Sequence, residues 1–129
     1  MRLLLDTHAF IWWVRNDAAL SRRARAALAA GANECLFSLA SAWEIAIKVS
    51  LGKLSIIHGR LEQVLPEQLA ANGFGTLPID LAHVARVASL PFHHRDPFDR
   101  LLAAQSLEEE IPIVSADPVF RRYGVTRIW

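Results

Sequence analysis

The sequence predicts one α/β domain, a mainly parallel sheet covered by helices on both faces. Three observations lead there. Short apolar runs alternate with longer helical patterns along the chain, and strands joined through right-handed helical crossovers make a parallel sheet with helices on its faces. A length of 129 residues suits a single compact domain, read here as 1–129. A content of 53% hydrophobic and 21% charged residues, with six Gly and six Pro, is that of a globular chain and excludes a disordered or fibrous one.

The elements follow in order. Leu3 to Leu5 is a short apolar run that ends at Asp6-Thr7 and passes into Ala9-Phe10-Ile11-Trp12-Trp13-Val14, a strand followed by a helix. Ser21 has the hydroxyl to cap a helix from about Arg22 to Ala30, with Gly31 as its left-handed stop. Glu34 to Ser38 forms the next strand, and Leu39 to Val49 the next helix, ending toward Gly52. Arg60 to Asn72 reads as helical. Pro66 within it lacks an N–H and clashes with the preceding turn, which predicts two short helices or a break before Gly73. Thr76 to Ile79 is a third strand whose Pro78 favours a sheet edge or a strand end, and Asp80 caps a helix from Leu81 to Leu90 that Pro91 stops. Phe92 to Arg95 is a loop. Asp96 opens a helix through about Glu109, followed by a strand at Ile111 to Ser115, a short helix from Pro118 to Tyr123 and a last strand at Val125 to Ile128.

Composition narrows function. Fourteen Lys and Arg against thirteen Asp and Glu leave a formal net charge of +1, so any contact with nucleic acid must be local and not a whole-surface field. The one cysteine, Cys35, lies in the apolar run Cys35-Leu36-Phe37 and reads as a buried thiol in a reducing compartment, not a nucleophile. The opening Met1-Arg2-Leu3-Leu4-Leu5-Asp6 reaches a carboxylate too early for a signal-peptide core or a membrane span, which leads us to expect a cytoplasmic protein with no membrane partner.

Open parallel sheets place their sites beyond the carboxyl ends of the strands. Asp6 follows the first strand and Asp117 the strand before Ala116, so both can face one crevice. Each is also explained as a helix cap, and Asp117-Pro118 has the Asp-at-N-cap, Pro-at-N1 pattern. Glu44 shares a stripe with Ser41 and Lys48; a solvated ion pair explains it, yet the helix around it is so apolar that a carboxylate there needs a partner. A cation is one such partner. Asp96-Pro97-Phe98-Asp99 repeats the capping pattern and adds an acid in the first turn, where the helix dipole favours negative charge. Carboxylates gathered in one pocket repel, by about 4 kcal/mol for two charges about 4 Å apart at an effective dielectric near 20, and oxygen-only ligands suit Mg²⁺ or Mn²⁺ better than Zn²⁺.

With these residues in view, the sequence resembles the PIN-domain family and, within it, VapC-like toxins of type II toxin–antitoxin systems. The resemblance rests on Leu3-Leu4-Leu5-Asp6-Thr7-His8, on Ser41-Ala42-Trp43-Glu44-Ile45-Ala46-Ile47-Lys48 with Gly52-Lys53-Leu54, on His94-Arg95-Asp96-Pro97-Phe98-Asp99-Arg100-Leu101-Leu102, and on Ile113-Val114-Ser115-Ala116-Asp117, in that order. It implies a Rossmann-like α/β/α sandwich and a metal-dependent ribonuclease whose acidic quartet falls on Asp6, Glu44, Asp99 and Asp117. Thr7 and Ser115 are the implied supporting hydroxyls. Asp99 is favoured over Asp96 because it directly precedes Arg100-Leu101-Leu102-Ala103-Ala104, and Asp96 stays as a supporting candidate. The implied cofactor is Mg²⁺ or Mn²⁺. The implied partners are RNA, a VapB-like antitoxin and a second copy of the chain. The implied reaction is hydrolysis by an activated water attacking phosphorus in line, without a covalent enzyme intermediate.

The remaining polar residues have ordinary explanations beside functional ones. Lys48, Lys53, Arg95 and Arg100 flank the acids in sequence and are candidates for steering RNA, each equally explained by an ion pair. His8, His58, His83, His93 and His94 lack zinc-site spacing and read as surface residues, with His94 also a candidate for a supporting place near Asp99. Arg22, Arg23 and Arg25 read as a solvated face, with a phosphate backbone or an acidic partner as the alternative. Phe10, Trp12 and Trp13 crowd one helix, which predicts core packing with a residual patch for a partner. Two rivals stand beside the nuclease: a catalytically inactive α/β protein-binding module, and a phosphoacceptor domain of the receiver type, whose usual late-strand lysine has no clear counterpart here.

Overall fold

The structure is a computed structural model that describes residues 1–55 and 59–129, so His58 lies outside the described residues. In chain order the elements are β1 (Arg2–Leu5), α1 (Thr7–Val14), α2 (Arg22–Ala29), β2 (Glu34–Ser38), α3 (Leu39–Ser50), α4 (Leu61–Ala71), β3 (Gly75–Leu77), α5 (Leu81–Ser89), α6 (Pro97–Glu109), β4 (Ile113–Val114), α7 (Val119–Arg122) and β5 (Arg127–Ile128). The strands form one five-stranded sheet in the order β3-β2-β1-β4-β5, with every pairing parallel. This is the predicted α/β/α sandwich. No described helix is long and apolar enough to cross a membrane.

Burial on both faces explains the apolar strands. The period-2 pleat sends Leu3, Leu5, Cys35, Phe37 and Val114 into a core shared with α1, α2 and α4, whereas Leu4, Leu36 and Ile113 enter a second core shared with α6 and α7. The chain runs from β1 outward to β3 and then returns to place β4 on the other side of β1. The strand order therefore reverses between β1 and β4. A crevice opens at such a point because the connections leave the two strands in opposite directions.

Several expectations change in detail. Pro66 does not break α4, which runs unbroken from Leu61 to Ala71. Leu61 and Leu65 pack on the core and Leu69 is buried, while Pro66 and Glu62 face solvent, so water can reach the carbonyl that loses its donor. Gly31 supplies no left-handed stop, because α2 ends on an extended Ala30. β3 stops at Leu77, since Pro78 cannot extend the ladder, and it lies on the sheet edge. The last two strands are shorter than predicted: Ile111 N–H closes onto Ser106 O at the end of α6, and Val125 N–H onto Phe120 O at the end of α7. The α1 aromatics pack on the core as predicted, with Trp12 and Trp13 half-buried. Phe10 is buried, and Trp13 Nε1 donates to Asn72 Oδ1 at 2.9 Å.

Candidate active site

Asp6 ends β1 and caps α1. Its Oδ1 accepts the Ala9 N–H at 2.7 Å, the capping role foreseen, yet the carboxylate is also buried, with the Ser115 side chain from the end of β4 close enough to favour its charged form. Burial pushes its pKa up, while the Ser115 side chain and the Ala9 bond pull it down. A cap and a site residue are thus the same side chain, because the helix N-terminus opens at the carboxyl end of the strand.

The next residue brings in the second acid. Thr7 is buried, and its hydroxyl lies 2.9 Å from Ser41 Oγ and 2.7 Å from Glu44 Oε1. Glu44 is only 7% exposed, and its other oxygen faces Lys48 Nζ at 3.2 Å, so the i,i+4 ion pair forms at a buried carboxylate instead of on a solvated stripe. Two contacts set the register of α3 against α6. At the start of α3, Ser38 Oγ donates to the buried Gln105 Oε1 at 2.5 Å; further along, Trp43 meets Phe98 edge-on at 5.3 Å. The helices therefore run antiparallel past one another, and Glu44 comes beside Asp99.

Asp96 and Asp99 separate cleanly. Asp96 Oδ1 accepts the N–H groups of Phe98 (2.8 Å) and Asp99 (3.4 Å), so it caps α6. Asp99 turns the other way, with Oδ2 at 3.0 Å from His94 Nε2, and the same nitrogen lies 3.2 Å from Asp117 Oδ2. His94 Nδ1 accepts the Asp96 N–H at 3.0 Å, so in the neutral ring Nε2 carries the proton and donates to both acids. Burial is the chief cause that lifts the Asp99 pKa to about 7; the Asp96 charge adds to it, His94 opposes, and the Asp6 and Glu44 charges raise it further. Asp117 is tied by Val119 N–H on its Oδ1 at 2.9 Å, and its own N–H donates to Ser115 Oγ at 3.0 Å.

The four acids named from the sequence thus come together at the reversal of strand order, with Thr7 bonded to Glu44 and Ser115 to the Asp117 N–H. His94 and Ser41 are contacts that sequence reasoning undervalued. Their only signals were a His two residues before an Asp-Pro cap and a Ser one turn before Glu44.

Of the candidate cations, Lys48 and Arg95 line an open cleft of about 420 Å³ beside Glu44, and Lys53 is exposed past the end of α3. Arg100 has a different task. Its guanidinium is buried, donates to the carbonyls of Pro91 (2.9 Å), Val87 (3.2 Å) and Leu90 (3.3 Å), and lies 4.3 Å from the Phe92 ring centroid. It ties the loop before α6 to the end of α5, so the expectation that it contacts RNA is corrected. His83 is likewise not a surface residue: its Nδ1 accepts the Asp80 N–H at 2.9 Å and its Nε2 faces Glu109 at 3.4 Å. Cys35 is buried and its thiol pKa is pushed up by burial, as a packed cysteine requires.

The donor set fits a hard divalent cation. Asp99 and Asp117 each bring a carboxylate oxygen into a cluster within 4.8 Å whose third member, His94 Nε2, is a ligand only after losing its proton, and the rest of the crevice offers carboxylate and hydroxyl oxygens. The elevated pKa of Asp99 comes first from burial and then from neighbouring carboxylates, which His94 only partly opposes. A divalent ion bound there would offset both costs.

The fold is an all-parallel sandwich with carboxylates gathered at its switch point. Comparison with known proteins names the family: the PIN domain profile matches residues 3–125, and the chain belongs to the PIN domain family. PIN domains are generally nucleases and generally use divalent metals. In fold, the chain is similar to VapBC2 from Rickettsia felis, a structure bound to a DNA fragment from its promoter. The TM-score is 0.74 at 16% identity, over 98% of this chain and 97% of that one. It is also similar to FitAcB from Neisseria gonorrhoeae, with a TM-score of 0.58 at 17% identity, over 97% of this chain and 95% of that one. No curated protein matches the sequence significantly.

Proposed function

We propose that this chain is a Mg²⁺- or Mn²⁺-dependent ribonuclease, the toxin of a type II toxin–antitoxin pair acting in the cytoplasm. The observation that carries the reading is the gathering of Asp6, Glu44, Asp99 and Asp117 in one crevice, where burial first, and Asp6 and Glu44 in smaller part, lift Asp99 to about 7. These four side chains are assigned to hold the ion. An ion held by them would supply polarisation of the phosphodiester and a lowered pKa for the attacking water.

The chain's own residues do the rest. Thr7, itself held by Ser41, fixes the rotamer of Glu44, and Ser115 fixes the Asp117 turn beside Asp6, so the acids are preorganised before RNA arrives. His94 holds Asp99 and Asp117 on one nitrogen. Lys48 and Arg95, with Lys53 beyond them, supply positive charge beside the acids, where a phosphate backbone must approach a negative site. No side-chain nucleophile is needed: the Thr7 hydroxyl is engaged with Glu44.

Two protein partners complete the proposal. The similarity in fold to VapBC2 and FitAcB supports a VapB-like antitoxin. A face of Trp43, Val84, Val87, Pro97, Phe98 and Leu101, with Trp43 61% exposed, supports a homodimer.

The test is cleavage of total cellular RNA by the purified chain. Cleavage is expected with Mn²⁺, and is expected to be absent with chelator and in Asp6→Asn. A folded wild-type chain that cuts no RNA and binds no Mn²⁺ would favour the inactive binding module.

A further inference from the structure

The β5 rim of the crevice carries a guanidinium that the acidic centre leaves unaccounted for. Arg127 Nη1 donates to the carbonyls of Ser115 (3.0 Å) and Ala116 (3.2 Å), the two residues before Asp117. Those bonds fix one arm of the planar fork and hence the direction of the others. Arg127 Nε is buried with no hydrogen-bond partner, the one such side-chain atom among the described residues. Nη2 makes no bond within the described chain and is open to solvent.

The neighbourhood is cationic. Arg121 and Arg122 are exposed on α7, the helix that follows Asp117-Pro118. Among the described residues, no carboxylate lies within ion-pair distance of Arg121, Arg122 or Arg127. Burial, and then the charge of Arg121, push the Arg127 pKa down, with Asp117 opposing, so two guanidinium groups stand within each other's field. With Nη1 fixed on two carbonyls, the solvent-facing Nη2 arm is a pre-oriented donor with no carboxylate to answer its charge, which suits a bound anion.

We propose that Arg127 and Arg121 form a phosphate subsite at the β5 rim that grips a backbone phosphate of single-stranded RNA next to the acidic crevice. The proposal rests on the nuclease reading and goes beyond it, because it gives the substrate a second point of attachment across the acids from Lys48 and Arg95. A polynucleotide fits this rim better than an acidic peptide. Its backbone must pass along a cluster of carboxylates that repels any anion, and cations on both sides of that cluster are what hold it there. With a net charge of only +1, such local sites must supply the whole electrostatic attraction.

The experiment measures binding of the full chain to a short fluorescein-labelled single-stranded RNA by anisotropy, over a series of KCl concentrations, with chelator and again with Mn²⁺. Each phosphate contact contributes about 0.7 to the slope of log affinity against log salt for a single strand. Arg127→Gln and Arg121→Gln are each expected to make the slope shallower by about 0.7 and to weaken binding roughly tenfold at low salt. Arg2→Gln, at the opposite end of β1, is expected to change neither. Arg121 is exposed, so its variant retains the fold even where loss of the Arg127 tie lowers the melting temperature. Unchanged slopes in both variants, with wild-type binding intact, overturn the subsite and leave the nuclease standing. Failure of the wild type to bind RNA under either condition overturns both. Capture of polyglutamate in place of RNA, abolished by Arg127→Gln, would assign the rim to an acidic protein and also overturn the proposal.

Discussion

Replacing Asp99 with Asn should stabilise the metal-free protein, and the gain should depend on pH in a defined way. The carboxyl titrates near 7 in the folded chain against an ordinary value of 3.8. As pH rises from about 4 to 7, the unfolded chain loses this proton first, so the folded state holds more protons and its stability falls. Above about 7 both states are ionised and the full cost remains, up to about 4 kcal/mol at about 1.4 kcal/mol per pH unit. Asp99→Asn removes that cost but weakens the contact from His94 Nε2, now 3.0 Å, which offsets about 1–2 kcal/mol. The expected net gain at pH 8 is about 2–3 kcal/mol, or roughly 6–10 °C in melting temperature for a chain of this length. Below about pH 4 it disappears, because the carboxyl is neutral in both states. Thermal unfolding followed by circular dichroism in chelator at pH 8 and pH 4 measures the difference. Saturating Mn²⁺ should reverse the order by raising the wild type alone. A variant no more stable than wild type at pH 8, or a gain equal at both pH values, would refute the reasoning.

Four further outcomes follow from the same geometry. Protons and metal compete for Asp99, so Mn²⁺ affinity measured by calorimetry should rise as pH approaches about 7 and level off above it, with up to about tenfold lost per unit below. Thr7→Val keeps the shape but removes the hydroxyl shared by Ser41 and Glu44; Mn²⁺ affinity and RNA cleavage should fall about 10–100-fold while the fold persists. Arg100→Met leaves the carbonyls of Pro91, Val87 and Leu90 without their donor and should cost about 2–4 kcal/mol in urea unfolding, with RNA affinity in the folded protein unchanged. Trp43→Glu puts a charge in the exposed apolar face and should convert a dimer to a monomer in light scattering.

Periodicity and capping chemistry carried most of the fold. Leu3 to Leu5, Ser21, Asp80 and Asp96-Pro97 mark strands and helix starts through interactions between residues close in sequence, and the elements they bound lie within a few residues of those predicted. The errors lie where a distant contact overrode a local rule. Pro66 is tolerated because Leu61, Leu65 and Leu69 hold α4 on the core. The ends of the last two strands are drawn into the closures of α6 and α7.

By itself, the sequence determined the alternation of strands and helices, the two-faced apolar strands, and which acids follow strands or sit inside apolar helices; these are properties of neighbouring residues and of the 2.0 and 3.6 periods. Only the tertiary structure decided which acids face one another. Asp96 and Asp99 have the same charge three residues apart, and the difference arises because one carboxylate bonds its own helix while the other meets His94 and the field of Asp6 and Glu44. Arg100 and Arg127 are likewise indistinguishable in charge, yet one is enclosed by carbonyls of a loop and the other stands with an unbonded arm beside Asp117. Charge belongs to the residue, but the partner that gives it a function is set by chain segments far apart in sequence.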